Sequence, residues 1–461
     1  MSEREFDVVV LGAGPAGEVC AGRLGEAGLS VAIVETHLIG GECSFYACMP
    51  SKGLLRPGEL LAEVRRIPGV SEAVTGELDV GSVLKRRDEI IHDLDDSGME
   101  PWLTERGVTI VREHGRLDGE RRVQAGADTL TARRAVVVAT GSDALVPPID
   151  GLREARSWTN REATTAKRVP ERLVVLGGGV VGVEMAQAWR SLGSQVTLVE
   201  AADRLIAREE PFASEQVEQA LGERGVDVQV GAKAVAVRAG NGEVEVELES
   251  GGPARGDELL VAIGRRPSTA DLGLESVGLE PGEPIEVDDS MRANDWLYAI
   301  GDVNGRALLT HMGKYQARVA ADTILGEDSA CLLVDGSRSP RVIFTDPQVA
   351  AVGHTLAAAR EGGLNVRAVD VATQGNAGAS YYGRDAAGTA RLVVDEDRRV
   401  VVGATFTGFE VADFLQAATI AVVGEVTIDR LFHAVPPFPT RSEIWLYLLE
   451  QLGVSGPCSP T

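Results

Sequence analysis

Two cysteines lie close together in the sequence, Cys43 and Cys48, with four residues between them. Thiols about one helical turn apart at a helix start can close a strained, reducible disulfide, and the helix dipole there stabilises a thiolate. The other three cysteines, Cys20, Cys331 and Cys458, are distant from this pair in the chain. In a reducing cytosol all five should be free thiols unless a pair is catalytic. The close pair is therefore a candidate redox centre.

Two segments repeat one design, a buried strand that runs into a glycine-rich turn. They are DVVVLGAGPAG at residues 7–17 and LVVLGGGVVG at residues 173–182. Each is followed by a helix-compatible stretch and a second apolar strand, which ends in Glu35 or Glu200. The interval from the first glycine to the acid is 23 residues in both segments, 35 − 12 and 200 − 177. The repeat predicts two βαβ units.

The glycines of these turns fit a dinucleotide-binding fingerprint. They permit a tight turn, close approach of the backbone to a pyrophosphate and close helix packing, and the acid binds ribose hydroxyls. Two such sites in one chain favour electron transfer between a permanently held FAD and a diffusible nicotinamide. The residues that we expect to bind the two dinucleotides are Gly12, Gly14, Gly17 and Glu35 in the first unit and Gly177, Gly179, Gly182 and Glu200 in the second.

The segment GGECSFYACMPSK at residues 40–52 resembles the active-site segment of the flavoprotein disulfide reductases, which include dihydrolipoamide dehydrogenase, glutathione and mycothione reductases and mercuric reductase. The resemblance covers nearly the whole chain, and the cysteine spacing is its most specific feature. It implies FAD and NAD(P)H as cofactors and a redox-active Cys43–Cys48 disulfide. The implied reaction transfers electrons between NAD(H) and a disulfide or dithiol, as in dihydrolipoamide dehydrogenase.

The resemblance also implies roles for individual residues. Cys43 would attack the disulfide substrate, and Cys48 would exchange electrons with the flavin. Lys52 would lie beside the flavin with Glu184 as its ion-pair partner, since an isolated buried charge is costly. Asp302 would hydrogen-bond the ribityl chain. The other implied cofactor contacts are Gly41, Gly115, Thr140, Gly141, Gly264 and the helix that starts near His311.

The acid at the end of the second βαβ unit bears on the choice of nicotinamide. A carboxylate at Glu200 accepts ribose hydroxyls and repels a 2′-phosphate. Basic residues usually follow this position in NADPH enzymes, whereas here the sequence continues Ala-Ala-Asp, with only Arg204 nearby. We therefore expect NADH to be favoured over NADPH.

The C-terminal segment VPPFPTRSE at residues 435–443 departs from the family pattern. Disulfide-reducing members usually carry a histidine five residues before a glutamate, as acid and base for the thiols. Glu443 fits that glutamate, but Phe438 occupies the histidine position and cannot shuttle a proton. His433, Tyr46 and the pair Tyr381 and Tyr382 are the alternative proton donors, although packing is the commoner role for each.

Phe438 keeps a second function open. Aromatic residues at Phe45, Tyr46 and Phe438 predict a narrow, apolar cleft, which suits a small electron acceptor. The same core could then pass electrons to quinones, metal ions or oxygen, or act as a dithiol oxidase. A redox-sensing flavoprotein without turnover is a third interpretation, which two complete nucleotide sites disfavour. No metal site is predicted, and Cys458 is expected to be inert.

Length and composition set the fold class. The 461 residues exceed one ordinary core, and 54 glycines with only 4% aromatic residues favour α/β layers. We expect an α/β protein with two Rossmann-like dinucleotide-binding domains and a C-terminal α+β dimerisation domain. The predicted bounds are 1–150 and 271–336 for the FAD-binding domain, 151–270 for the NAD(P)-binding domain and 337–461 for the C-terminal interface domain.

Charge and hydropathy exclude several partners. The formal net charge of −24 repels nucleic acid. No apolar run reaches membrane-spanning length, and the N-terminus has no room for a secretion signal. We expect a cytoplasmic enzyme that acts on a small disulfide, dithiol or electron acceptor. The family resemblance implies a homodimer in which the C-terminal domain of one subunit completes the active site of the other.

Overall fold

A computed structural model describes residues 2–327, 330–383 and 388–454. The α-helices in these ranges are α1 (Pro15–Glu26), α2 (Gly41–Phe45), α3 (Cys48–Arg66), α4 (Val80–Ile90), α5 (Glu100–Thr104), α6 (Asn160–Thr165), α7 (Val180–Ser191), α8 (Pro211–Glu223), α9 (Thr310–Leu325), α10 (Leu356–Glu361), α11 (Val411–Val423), α12 (Ile428–Leu431) and α13 (Ile444–Gln451). None of them is long and apolar enough to cross a membrane.

The β-strands in the same ranges fall into five sheets. They are β1 (Glu3–Leu11), β2 (Val31–Val34), β3 (Val108–Val111), β4 (Gly115–Leu117), β5 (Arg122–Ala125), β6 (Asp128–Val138), β7 (Ser142–Ala144), β8 (Arg172–Leu176), β9 (Gln195–Val199), β10 (Asp227–Gln229), β11 (Ala234–Gly240), β12 (Glu243–Leu248), β13 (Ala254–Gly256), β14 (Glu258–Val261), β15 (Arg265–Pro267), β16 (Leu297–Ala299), β17 (Arg341–Ile343), β18 (Gln348–Gly353), β19 (Val366–Ala372), β20 (Thr389–Asp395) and β21 (Val400–Gly408).

The described residues form two compact units, and the first contains residues 2–50, 85–145 and 264–336 apart from 328–329. Its main sheet has the order β3-β2-β1-β6-β5-β4, and β16 adds to it parallel to β6. Side chains of β1 alternate between the two faces. Val8 and Val10 pack with α1 and α9, whereas Val9 and Leu11 pack towards β5 and β16. The central strands are buried on both faces, which explains their continuous apolar sequences.

The second unit contains residues 51–84, 146–263 and 337–454 apart from 384–387. Its parallel sheet has the order β10-β9-β8-β14, and a three-stranded antiparallel sheet has the order β11-β12-β13. Leu173 and Val175 of β8 pack with α7, while Val174 and Leu176 pack with the antiparallel sheet. The strand, turn, helix and strand order of the second predicted βαβ unit is therefore present.

The C-terminal part of the second unit contains a five-stranded antiparallel sheet, β17-β18-β21-β20-β19. Helices α11 and α13 cover one face of it, with Leu415 and Leu448 packed near Phe406. This mixture confirms the predicted α/β fold with an α+β C-terminal part. Because the compact units group residues differently from the three predicted domains, the predicted domain bounds stay a prediction.

Candidate active site

The first glycine-rich turn joins β1 to α1. A Cβ added to Gly12 would lie 2.5 Å from the Ala139 carbonyl oxygen, and one added to Gly17 would lie 1.9 Å from the Gly12 carbonyl oxygen. A Cβ on Gly14, at the N-cap of α1, would meet nothing within 4 Å. The turn therefore has no space for a side chain where the helix packs against the strand. It has free space at the N-terminus of the helix, the end that attracts anions.

Glu35 follows β2 and reaches back to this turn. Its Oε2 accepts a hydrogen bond from the Ala13 amide at 2.7 Å, and its Oε1 accepts one from the His37 amide at 2.7 Å. Gly41, at the start of α2, has φ +56, and a Cβ there would lie 2.9 Å from the Gly14 Cα. These contacts bring the acid and the start of α2 to the open side of the turn. The arrangement fits the pyrophosphate and ribose of a dinucleotide such as FAD.

The second turn, between β8 and α7, repeats this geometry. A Cβ on Gly177 would lie 2.4 Å from the Ala262 carbonyl oxygen, one on Gly182 would lie 1.8 Å from the Gly177 carbonyl oxygen, and Gly179 again faces open space. The Glu200 carboxylate accepts hydrogen bonds from the amides of Gly178 at 2.5 Å and Ala202 at 2.6 Å. The two turns therefore fit the same class of ligand, although they have different flanking residues.

Asp302 follows β16 in a half-buried polar network. Its Oδ2 accepts a hydrogen bond from the Ser142 hydroxyl at 2.6 Å, and Arg265 Nε donates to that hydroxyl at 2.7 Å. Burial raises the pKa of Asp302, while Ser142 and Arg265 oppose the rise. The network fixes the carboxylate, so it can accept hydrogen bonds from a hydroxylated chain. Neither Ser142 nor Arg265 is among the residues predicted from the sequence, although both adjoin predicted glycines, Gly141 and Gly264.

The remaining predicted cofactor residues of the first unit lie on or beside its strands. Thr140 Oγ1 donates to the Ser268 carbonyl at 3.0 Å, and the Gly141 carbonyl accepts from the Ser268 amide at 3.0 Å. Gly264 accepts from the Leu145 amide. Gly115 begins β4, where a Cβ would lie 2.6 Å from a Leu11 side-chain carbon. Packing against Leu11 accounts for a glycine at this position, and the predicted cofactor contact of Gly115 stays a prediction.

The two cysteines do not share a helix. Cys43 lies in α2, and Cys48 is the first residue of α3, because Tyr46 adopts a non-helical conformation between them. This corrects the expectation of a pair within one helical start. Both are free thiols, and a hydrogen bond joins them. Cys48 Sγ lies 3.4 Å from Thr310 Oγ1.

The pKa of Cys43 is raised, first because its thiol shares a hydrogen bond with Cys48 and then because it is buried. The Thr310 hydroxyl and the Lys314 ammonium oppose this rise. The predicted start of α9 near His311 is one residue late, and Thr310 was not predicted as a site residue, although a hydroxyl residue just before His311 is a usable signal. The first turn of α9 is therefore part of the environment of both sulfurs.

Lys52 and Glu184 form an ion pair in the second unit. Lys52 Nζ lies 2.7 Å from Glu184 Oε2, and the Phe344 amide donates to Glu184 Oε1 at 2.9 Å. The ammonium also lies 4.7 Å from the centre of the Phe344 ring. Glu184 is 3% exposed, so its charge needs both partners. The predicted pairing of these two residues is present.

The C-terminal segment places Phe438 at the surface, where it is 76% exposed. Glu443 is buried, and its Oε2 has no hydrogen-bond partner among the described residues. The ring of His433 packs edge-on against Phe432, with 5.4 Å between the ring centres. Tyr381 is exposed as well. Cys458 lies outside the described residues, which contain no group of three or more His, Cys, Asp or Glu side chains suited to a metal ion.

Comparison with known proteins agrees with this arrangement. Residues 6–321 match the family model of the pyridine nucleotide-disulphide oxidoreductases, and residues 339–448 match the dimerisation domain of the same family. The chain is 32% identical over 455 residues to a dihydrolipoyl dehydrogenase 3 of Pseudomonas aeruginosa, covering 95% of this chain and 96% of that protein. It is 30% identical over 451 residues to a mercuric reductase of Lysinibacillus sphaericus, covering 96% of this chain and 82% of that protein.

A solved structure with the same fold is the Cu(II) complex of the HOCl-induced flavoprotein disulfide reductase RclA from Escherichia coli. Its TM-score is 0.86 at 23% identity, and the match covers 97% of this chain and 99% of that one. The two family matches span most of the chain and include both glycine-rich turns and the cysteine pair. The chain therefore belongs to the pyridine nucleotide-disulphide oxidoreductases, enzymes that contain FAD and use NAD(P)H.

Proposed function

We propose that the chain catalyses NADH-dependent reduction of a small disulfide, or the reverse oxidation of a dithiol, through Cys43 and Cys48. The observation that carries the proposal is the hydrogen-bonded cysteine pair in the unit that also contains the turn from Gly12 to Gly17. The net reaction is NADH + H⁺ + RSSR′ → NAD⁺ + RSH + R′SH. When bound, FAD supplies the two-electron chemistry that couples the nicotinamide to the cysteines.

The thiol steps follow ordinary disulfide exchange. The Cys43 thiolate attacks one substrate sulfur, the substrate S–S bond breaks, and the other sulfur leaves as a thiolate that takes a proton. The Cys48 thiolate then attacks the Cys43 sulfur, which releases the second substrate thiol and closes the Cys43–Cys48 disulfide. Counted with both protons, the dithiol gives two electrons and two protons to the substrate. Oxidation of NADH restores the reduced pair.

Preference for NADH is part of the proposal and is supported by the surroundings of Glu200. The carboxylate is held by two backbone amides beside the second turn, where it would repel a 2′-phosphate. Arg204, the nearest cation in sequence, is occupied. Its guanidinium donates to the Glu209 carbonyl at 3.0 Å, the Ser214 hydroxyl at 2.7 Å and the Ala207 carbonyl at 2.6 Å. Turnover with both nucleotides tests the preference, and a clear advantage for NADPH would overturn it.

For the other predicted residues we propose the roles that the family resemblance implies. Asp302, fixed by Ser142, would hold the hydroxylated chain of FAD, and the Lys52–Glu184 pair would tune the electron affinity of the flavin. Glu443 would act across the dimer interface, on the thiols of the other subunit.

Replacement of Cys43 by serine tests the central claim. The hydroxyl cannot form the disulfide, so disulfide turnover should be abolished while FAD stays bound. Cys331→Ser is the matched control, because Cys331 is an exposed thiol. Full activity of the Cys43→Ser enzyme with a disulfide substrate would contradict the mechanism.

A second candidate function is electron transfer to a quinone, metal ion or oxygen, or dithiol oxidation. Phe438 favours it, because such chemistry depends less on an imidazole. The 30% identity to a mercuric reductase is in line with a metal-ion acceptor. Anaerobic comparison of acceptors separates the two functions. Under the first, Phe438→His should raise turnover of lipoamide or glutathione disulfide, since Glu443 remains available to orient the ring; under the second, it should not.

We further propose a homodimer in the cytoplasm. The match to the dimerisation domain supports self-association, and the exposed apolar residues Ile420, Val423 and Val435 lie within the matched segment. A redox-active thiol pair regenerated by NADH suits a reducing compartment. Light scattering of the purified holoenzyme tests the dimer, and a monomer at micromolar concentration would contradict it.

A further inference from the structure

The reduced cysteine pair needs a source of positive potential, because one sulfur must carry negative charge to be a nucleophile. A histidine side chain usually supplies part of this positive potential, and Phe438, which stands at the histidine position, cannot supply it. The first turn of α9 lies beside the cysteine pair in the first unit. Thr310 is its first residue, with its hydroxyl 3.4 Å from Cys48 Sγ. The N-cap residue, Leu309, offers no side-chain cap, so the backbone amides at this helix end keep their partial positive charge.

Lys314 lies four residues after Thr310, one turn along α9 and on the same face of the helix. Its ammonium and the Thr310 hydroxyl both favour the ionised form of Cys43, against the hydrogen bond from Cys48 and burial. An ammonium keeps its charge across the physiological pH range, unlike an imidazole. Lys314 therefore places an ammonium group on the face of α9 that also carries Thr310.

Other titratable groups on the surrounding elements bear on this arrangement. The carboxylate of Glu42 lies 3.7 Å from Arg265, and His311 is exposed. Helix α1 packs against α9, with Ala16 Cβ 3.3 Å from the position that a Gly313 Cβ would take. Burial raises the pKa of Glu18 on α1 to about 7, and Lys314 opposes that rise. The titratable groups on these elements are Glu18 on α1, Glu42 on α2, Tyr46 between α2 and α3, and His311 on α9.

We propose that Thr310 and Lys314 are positioning residues that hold the negative charge of the Cys43/Cys48 pair, Thr310 by a hydrogen bond to Cys48 and Lys314 by its ammonium one turn further along the same face of α9. The inference rests on the proposed function, since it assigns a task only if these cysteines are the redox pair. It explains how thiol chemistry can proceed although Phe438 replaces the histidine. Glu18 modulates the effect, because its ionisation near neutral pH adds a negative charge that partly offsets Lys314.

The test is the pH dependence of alkylation of the reduced holoenzyme. Anaerobic enzyme is reduced with NADH and treated with iodoacetamide between pH 5.5 and 10, and mass spectrometry follows each cysteine separately. The variants are Thr310→Val, Thr310→Ser, Lys314→Met and Glu18→Gln. Arg318→Met is the matched control, because Arg318 is an exposed cation one further turn along α9. Bound FAD and far-UV circular dichroism verify that each variant is folded.

We expect alkylation of the Cys43/Cys48 pair at pH 7 to slow about tenfold in Thr310→Val, because this variant loses a hydrogen bond to a charged group. Alkylation of the pair should slow about fivefold in Lys314→Met, because this variant loses one positive charge. Thr310→Ser and Arg318→Met should stay within about twofold of the parent enzyme, since the first keeps the hydroxyl and the second is remote. Glu18→Gln should be faster than the parent above pH 7. A merely structural role would not give this ordering or the rescue by serine.

Two results overturn the inference in different ways. If the parent enzyme gains two alkylatable thiols on reduction, but the Lys314→Met and Arg318→Met profiles coincide and Thr310→Val matches Thr310→Ser, the positioning roles are refuted and the redox pair stands. If NADH reduction exposes no new thiol at Cys43 or Cys48, the proposed function fails, and the inference fails with it.

Discussion

Replacement of Glu18 by glutamine should stabilise the protein in a pH-dependent manner. Glu18 lies in α1 in the first unit, where burial raises its pKa from 4.5 to about 7 in spite of Lys314. In the folded state the carboxyl group therefore holds its proton to higher pH than in the unfolded state. Glutamine has no proton to lose and nearly the same shape, so it removes the cost of ionising the buried group.

The size and sign of the effect follow from the two pKa values. Below pH 4.5 both states are protonated and the group costs nothing. As pH rises from 4.5 to about 7 the unfolded state loses the proton first, so stability falls by about 1.4 kcal/mol per pH unit and the full penalty is about 3 kcal/mol. At pH 5.5 less than half of this penalty has developed. The advantage of Glu18→Gln should therefore grow by about 2 kcal/mol between pH 5.5 and pH 8.

Urea unfolding of the holoenzyme, followed by far-UV circular dichroism, measures this difference. Protein and FAD concentrations are held fixed, because binding equilibria add to apparent stability. Glu26→Gln is the matched control, since Glu26 is in the same helix with its side chain 70% exposed. The control should show no such growth with pH. If the Glu18→Gln and parent curves stay parallel from pH 5.5 to 8, the claim that Glu18 is held largely protonated below neutrality is refuted.

Three further predictions concern the second unit. Gly182→Ala should abolish reduction of bound FAD by NADH while FAD stays bound, because the added carbon would lie 1.8 Å from a backbone oxygen of the turn. Gly222→Ala is the control, because its added carbon meets nothing within 4 Å. Rapid-mixing absorbance measures flavin reduction in both variants. Glu184→Gln should lower the free energy of unfolding by about 1–2 kcal/mol, because a buried charged hydrogen bond is lost. Urea unfolding measures this, and an unchanged midpoint would contradict the prediction. Glu200→Gln should raise the ratio of NADPH to NADH kcat/KM about tenfold, and an unchanged ratio would show that the carboxylate does not discriminate.

Local sequence was sufficient to predict the strand, turn and helix units and the family. Gly12 and Gly177 have positive φ values, and an added Cβ would collide with a neighbouring strand, so only glycine fits and the pattern is readable without coordinates. The apolar strands are equally readable, because parallel strands buried on both faces need continuous apolar runs. The cysteine spacing and the residues around it carried the resemblance that the family matches confirm.

The environment of the cysteines was not readable in this way, because it depends on residues distant in the chain. Thr310 lies 262 positions from Cys48, and no local pattern brings its hydroxyl to that sulfur. The break between α2 and α3 also needed the structure, since the spacing of Cys43 and Cys48 suits one helix as well as two. Backbone turns and chemical groups can thus be predicted from the amino-acid sequence. The charges that face the sulfurs cannot, because electrostatic and hydrogen-bonding interactions depend on distances that chain folding sets.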